Sequence, residues 1–163
     1  MLAGKKLPKV KSGNPIGVGY AVRQGRIVAL GLSLKRLVKF PEPITRLVKL
    51  ESLNLWGNNF TTLPESIGKL RNLQSLNLYN NKLADLPRSF GKLQALKDLR
   101  LSQNDFSELP KLIGKLLSLE VLSIGKNRLK YLPRSIGNLN RLHNLRVSEN
   151  ELNELPESFG NLH

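Results

Sequence analysis

The chain has 163 residues, of which 40% are hydrophobic, so its length and apolar content suit one domain with a sizeable core. It contains no cysteine, which excludes disulfides, thiolate metal sites and cysteine nucleophiles and leads us to expect a reducing, cytoplasmic location. The net charge is +14, and residues 1–49 carry +10 of it, through eleven Lys or Arg against one Glu.

The first predicted segment, residues 1–14, is a flexible basic arm. It holds four lysines and no acidic residue, with apolar residues between them: Lys5, Lys6, Lys9 and Lys11. Clustered lysines attract anionic partners, so the arm supports one alternative function, the binding of nucleic acid or of an anionic membrane.

The next segment, residues 15–26, is predicted to be a β-hairpin cap. Apolar residues alternate on both sides of the sequence Arg-Gln-Gly-Arg at positions 23–26, as two paired strands with a tight turn require. The second strand of the hairpin opens residues 27–49, which fit a degenerate first repeat. We expect four apolar side chains of the first strand to cover the open edge of the stack: Ile16, Val18, Tyr20 and Val22.

Residues 50–163 consist of five regular repeats of twenty-three residues, each following the pattern LxxLxLxxNxLxxLPxxIGxL. A fixed period of this size indicates stacked structural units. The units begin at Leu50, Leu73, Leu96, Leu119 and Leu142, and repeat positions are counted from these leucines. The alternation LxLxx predicts one short strand per unit, parallel to the strand of the next unit.

The remaining invariant positions are predicted to serve the frame. The asparagine at position 9 follows each strand, where its amide can satisfy backbone groups left unpaired by the turn. The proline at position 15 fixes the backbone, and the glycine at position 19 permits a tight geometry on the return side. The short spacing between them suits one helical turn rather than a long helix. The last unit ends at His163 without a polar cap, so we expect a longer natural protein or a paired edge.

The repeat resembles the leucine-rich repeat family, in particular the twenty-three-residue type of intracellular Ras-associated and Ras-suppressor-like proteins. The resemblance implies an α/β fold, a leucine-rich repeat solenoid or horseshoe. Such a solenoid, here expected as a single domain over residues 15–163, has a parallel concave sheet, short helical or irregular convex turns and the hairpin cap over residues 15–26. It also implies that a protein partner binds on the concave face, with a small GTPase or another signalling protein as the candidate by analogy.

The concave strand positions vary between units, while the frame does not. Position 5 carries Asn54 and Asn77 in the first two regular units, and position 7 carries Trp56 and Tyr79. The two aromatic residues should be neighbours on adjacent strands and form an exposed pair of the type that dominates binding hot spots. We therefore predict these four residues as partner-binding.

Charged residues on the concave columns are balanced, with four acidic against four basic side chains. Such balance suits a mixed-charge protein surface better than a phosphate-binding trough. The predicted central polar contacts are Lys97, Asp98, Arg100 and Arg146.

An enzymatic function has little support. His143 and His163 are the only histidines, and no nucleophile or oxyanion arrangement is expected around them. The glycines near residue 17 lack the spacing of nucleotide-binding motifs. We therefore expect no enzymatic activity, no cofactor, no metal and no small-molecule substrate.

Overall fold

The computed structural model describes residues 8–9 and 17–162, and over this part the chain forms one continuous seven-stranded sheet. Sequential strands are neighbours throughout, and only the first pair is antiparallel. The strands are β1 Val18–Arg23, β2 Arg26–Leu32, β3 Ser52–Asn54, β4 Ser75–Asn77, β5 Asp98–Arg100, β6 Val121–Ser123 and β7 Asn144–Arg146. This is the predicted leucine-rich repeat solenoid.

The predicted N-terminal hairpin is confirmed. Strands β1 and β2 pair from Val18 opposite Leu32 to Arg23 opposite Arg26. The turn between them has positive φ at both residues, 50° at Gln24 and 72° at Gly25, which matches the twist of the flanking strands.

The outer edge of β1 meets the preceding chain. Tyr20 of β1 packs against the hydrophobic core, as expected. Its backbone N–H donates to the carbonyl oxygen of Pro8 at 3.0 Å, and Lys9 forms an isolated parallel bridge with it. Lys5, Lys6, Lys11 and Ile16 lie outside the described residues, so their predicted roles stay predictions.

The parallel strands are in register at intervals of one repeat, as the invariant period predicts. Leu53 lies opposite Leu76, Leu76 opposite Leu99, and Leu122 opposite Leu145. Because side chains alternate along a strand, this register places every position-4 leucine on the inner face and positions 3 and 5 on the outer, concave face.

The return side of each unit is a single five-residue 3-10 helix preceded by proline. These helices are Glu42–Arg46, Glu65–Lys69, Arg88–Lys92, Lys111–Lys115, Arg134–Asn138 and Glu157–Asn161. They confirm the expected short convex turns. Over the described residues, no helix combines the length and the apolar character needed to cross a membrane.

The core runs as one cluster through the whole stack. Apolar frame residues of the first three regular units are almost completely buried, including three phenylalanines of zero exposure: Phe60, Phe90 and Phe106. The last unit is more open, since Leu145, Val147 and Phe159 are only partly buried and Leu155 is 51% exposed.

The position-9 asparagines bridge adjacent units, which confirms their architectural role. The Asn104 side-chain amide donates to the carbonyl of Leu101 in its own unit at 2.9 Å and to that of Leu78 in the preceding unit at 3.0 Å. Its Oδ1 accepts the backbone N–H of Leu83 at 2.9 Å. Asn58, Asn81, Asn127 and Asn150 repeat the arrangement.

The position-19 glycines are explained by contact with the next unit. A Cβ on Gly114 would lie 2.4 Å from the carbonyl oxygen of Ser135, and one on Gly137 would lie 2.3 Å from that of Ser158. A Cβ on Gly160 would meet nothing within 4 Å. The glycine is therefore needed where the convex helix of the following unit packs closely against it.

Glu65 links two convex helices. Its carboxylate accepts the backbone N–H groups of Arg88 at 3.0 Å and Ser89 at 2.9 Å, while the Ser89 hydroxyl donates to the Glu65 carbonyl at 2.6 Å. The hydrogen bonds from Ser89, strengthened by that from Arg88 and by the charge of Lys92, lower the pKa of Glu65 below its usual 4.5.

Candidate functional site

The variable concave residues form one straight row. At position 5, Asn54 pairs with Asn77, Asn77 with Arg100, Arg100 with Ser123 and Ser123 with Arg146. Strand pairing places neighbours in this row about 4.8 Å apart. Residues far apart in sequence therefore meet on a single surface.

A groove of about 540 Å³ runs along this surface. It has the size of a typical ligand site. Six of the eight predicted partner-binding residues line it, namely Trp56, Asn77, Tyr79, Asp98, Arg100 and Arg146. The other two, Asn54 and Lys97, are not among the lining residues.

The two aromatic residues stand side by side, as expected. The ring centroids of Trp56 and Tyr79 are 6.4 Å apart, with an angle of 44° between the ring planes. Both side chains are half-buried rather than exposed, which is less open than the sequence indicated. The indole Nε1 of Trp56 is buried and has no hydrogen-bond partner among the described residues.

Asn54 and Asn77 hold the backbone that carries this aromatic pair. The Oδ1 of Asn54 accepts the backbone N–H of Trp56 at 3.1 Å, and the Oδ1 of Asn77 accepts that of Tyr79 at 3.0 Å. Asn54 is buried, with 4% exposure, whereas Asn77 is half-buried and lines the groove. Both residues accept a hydrogen bond from the backbone two residues further along the chain, but only Asn77 is accessible from the groove.

Beyond the aromatic pair the floor of the groove is made of small residues. Position 7 continues as Ser102, Gly125 and Ser148. A Cβ on Gly125 would lie 2.8 Å from the carbonyl oxygen of Ser148, so a larger residue there would require the backbone to shift. The groove therefore has an aromatic wall toward the N-terminal end and a low, polar floor toward the C-terminal end.

The two arginines of the groove differ in their partners. Arg100 is held by Asp98 through two hydrogen bonds, from Nε at 3.2 Å and from Nη2 at 3.0 Å. Arg146 is exposed and forms no ion pair with any residue of the described chain. Asp98 therefore compensates the charge of Arg100, while that of Arg146 is available to a bound carboxylate.

Two charged residues lining the groove were missed as site residues. Lys126 and Glu149 occupy position 8 of adjacent units, with 3.5 Å between Nζ and Oε1. Position 8 has a left-handed backbone throughout, with φ of 53° at Lys126 and 56° at Glu149. This conformation turns the chain after each strand, and its sequence signal was Gly57 and Asn80 at the same repeat position, because glycine and asparagine are favoured at positive φ.

Lys97 lies outside the groove. It occupies position 2, directly before each strand, and its Nζ lies 3.4 Å from Oε1 of Glu120. His143 is exposed in the same column, with Nδ1 3.2 Å from the carbonyl oxygen of Arg141. Residues 8–9 and 17–162 contain no cluster of His, Asp or Glu suited to holding a metal ion.

Several solved structures are similar to the chain. The plant peptide hormone receptor RGFR1 in complex with RGF2 has 34% sequence identity and a TM-score of 0.75 over 94% of this chain and 25% of its own. The ectodomain of the Arabidopsis thaliana membrane receptor kinase GASSHO1/SCHENGEN3, in complex with CASPARIAN STRIP INTEGRITY FACTOR 2, has 30% identity and a TM-score of 0.69. This match covers 96% of this chain and 17% of the ectodomain.

A third similar structure is the ectodomain of the Arabidopsis thaliana receptor kinase SOBIR1, with 25% identity and a TM-score of 0.66 over 80% of this chain and 73% of its own. The chain thus spans a quarter or less of the first two relatives. The comparison with curated protein sequences gives no match. A family model described as a leucine-rich repeat region matches residues 39–127 and 88–163. The chain belongs to the leucine-rich repeat family.

Proposed function

We propose that the chain is a non-enzymatic recognition module that binds an extended segment of a protein partner in its concave groove. The observation that carries the proposal is the single row of variable residues on an otherwise invariant frame. The frame residues are buried or bonded between units. Within the row, Asn54 and Asn77 also hold the backbone, whereas the frame does not require the change to Arg100, Ser123 and Arg146 in the later units.

The groove offers three kinds of contact to an extended segment. The Trp56 and Tyr79 rings can pack against an apolar side chain, which is where binding energy concentrates in protein interfaces. Asn77 and the serines of the floor can exchange hydrogen bonds with an extended backbone. Arg146, whose charge is uncompensated, can bind an acidic side chain through a charge-assisted hydrogen bond.

Similar structures support a protein or peptide ligand. RGFR1 is named as a peptide hormone receptor and was solved with RGF2, and the GASSHO1/SCHENGEN3 ectodomain was solved with CASPARIAN STRIP INTEGRITY FACTOR 2. A small GTPase as the specific partner rests on the sequence resemblance alone, and a cytoplasmic location rests on that resemblance and on the lack of cysteine in the sequence. The similar ectodomains of membrane receptors do not support that location.

The test begins with the selection of displayed random peptides on the intact immobilised chain. A panel of small GTPases in both nucleotide states is screened in the same way. The affinity of each selected ligand is then measured for the double variant Trp56→Ala/Tyr79→Ala and for Arg146→Gln. We expect each variant to weaken binding about 10- to 100-fold while remaining folded at the temperature of the assay.

The control is the double variant Lys69→Gln/Lys92→Gln, which removes two exposed charges from the convex helices. It should bind the ligands normally. Ligands that bind the concave variants normally but lose affinity for the convex variant would place recognition on the opposite face and refute the proposal.

A further inference from the structure

A second cleft, of about 500 Å³, lies at the rim where the strands begin, beside the tip of the N-terminal hairpin. Three of its lining residues are basic and one is acidic: Arg23, Arg26, Lys49 and Glu51. These basic residues belong to the strongly charged first 49 residues, but neither the basic arm nor the concave groove includes them. We call this cleft the rim cleft.

Cations of the rim cleft are only partly compensated. Arg23 Nη1 donates to both oxygens of Glu51, at 2.8 and 3.0 Å, which leaves its Nε and Nη2 hydrogens for another acceptor. Arg26 and Lys49 are exposed and make neither an ion pair nor a side-chain hydrogen bond with a described residue. Within the rim cleft, basic side chains therefore outnumber acidic ones by two.

The rim cleft is also held in shape. Arg23 and Arg26 are paired directly across the two-residue turn of the hairpin, so their backbones are fixed relative to each other. The Asn72 side-chain amide donates to the carbonyl of Val48 at 2.7 Å, which anchors that wall. When the backbone of a binding site is already ordered, less conformational entropy is lost when its ligand binds.

We propose that the rim cleft binds a phosphate ester group carried by a phosphorylated side chain of a protein segment. A phosphate monoester has close to two negative charges at neutral pH and three terminal oxygens, which matches two uncompensated cations and the free edge of an arginine. The amides of Gln24 and Gln74 supply further neutral donors at the same point.

The arrangement favours one phosphate over a nucleic acid backbone. Along the rim, the column that starts with Glu51 continues as Gln74 and then Lys97, which is paired with Glu120 at 3.4 Å. In this column no uncompensated cation follows those of the rim cleft, so the column does not form the track that a chain of phosphates requires. The site is also separate from the concave groove, because Trp56 follows Glu51 by five residues, about 16 Å of extended chain.

The test uses NMR titrations of the intact chain with inorganic phosphate and with phosphoserine, against sodium chloride at matched ionic strength. We expect saturating shifts confined to Arg23, Arg26, Lys49 and Asn72, with phosphoserine at least as tight as phosphate. The variant Arg26→Gln/Lys49→Gln should weaken phosphoserine binding at least about tenfold. The convex variant Lys69→Gln/Lys92→Gln, which removes the same charge elsewhere, should leave it unchanged.

Three results would overturn the proposal. Equal shifts with chloride would show simple screening, and equal losses in both double variants would show an effect of net charge alone. A third arm uses a single-stranded DNA oligonucleotide. If the DNA binds more tightly than phosphoserine and spreads its shifts along the rim to Lys97, the surface serves nucleic acid instead.

Discussion

The close packing of successive convex helices predicts a large difference between two chemically identical substitutions, Gly114→Ala and Gly160→Ala. At Gly114 the new Cβ would lie 2.4 Å from the carbonyl oxygen of Ser135 and 2.5 Å from its Cβ. Ordinary contact begins at 3.4 Å, so the two units must separate by about 1 Å. Overpacking of this kind costs about 1–3 kcal/mol, and several simultaneous contacts place the cost at the upper end.

Alanine also lowers the conformational entropy of the unfolded chain, which stabilises the folded state by about 0.4–1 kcal/mol. We therefore expect Gly114→Ala to lower the free energy of unfolding by about 2 kcal/mol. Gly160→Ala, whose Cβ meets nothing within 4 Å, should leave stability unchanged or raise it by up to about 1 kcal/mol. Gly91→Ala should fall between them, because its nearest neighbour is the movable Lys115 side chain at 3.1 Å.

The assay is urea unfolding followed by circular dichroism, with the free energy of unfolding extrapolated to water and the m-value checked for each variant. An unchanged m-value shows that the stack still unfolds as the parent does. Equal destabilisation at Gly114 and Gly160 would refute the packing explanation, since it would mean that the glycines are required by their own backbone conformation.

Three further substitutions test the frame. Leu99→Ala, in the fully buried centre of the stack, should cost about 2–5 kcal/mol of unfolding free energy, and an unchanged urea midpoint would contradict the continuous core. Asn104→Ala leaves two carbonyls and one N–H of two units without their partner and should cost about 2–3 kcal/mol in the same assay. Glu65→Gln should lower the thermal unfolding midpoint at neutral pH. Because the folded state lowers the pKa of Glu65, its contribution is present above pH 4.5 and is lost as the pH falls further, so the difference should shrink in acid. Glu157→Gln, at the same repeat position but without a hydrogen bond from a described residue, should have no such effect.

Repeat-level features could be predicted from the sequence because they depend on local pattern. The alternation around Leu53 and the period of twenty-three residues determine which faces are buried and which residues are neighbours, as the pairing of Asn54 with Asn77 shows. The role of Asn104 could likewise be predicted. A buried side-chain amide needs hydrogen-bond partners, and directly after a strand these are the backbone groups of the turn.

Features that depend on contacts between units were harder to predict. The requirement for glycine at position 19 was attributed to its own turn, whereas the contact with Ser135 belongs to the following unit. The burial of Asn54 was also missed, although its cause lies within one unit: its Oδ1 accepts the backbone N–H of Trp56. The rim cleft joins the turn of the hairpin to Lys49, and no pattern within one repeat brings these residues together.

The most direct test of concave recognition is an NMR map of backbone amide shifts for the intact chain titrated with a selected ligand. Recognition in the groove predicts the largest shifts at Tyr79, Ser102, Ser123 and Asn144, decreasing toward the convex helices. Shifts centred on the helices Glu65–Lys69 and Arg88–Lys92, with the strand residues unchanged, would contradict it.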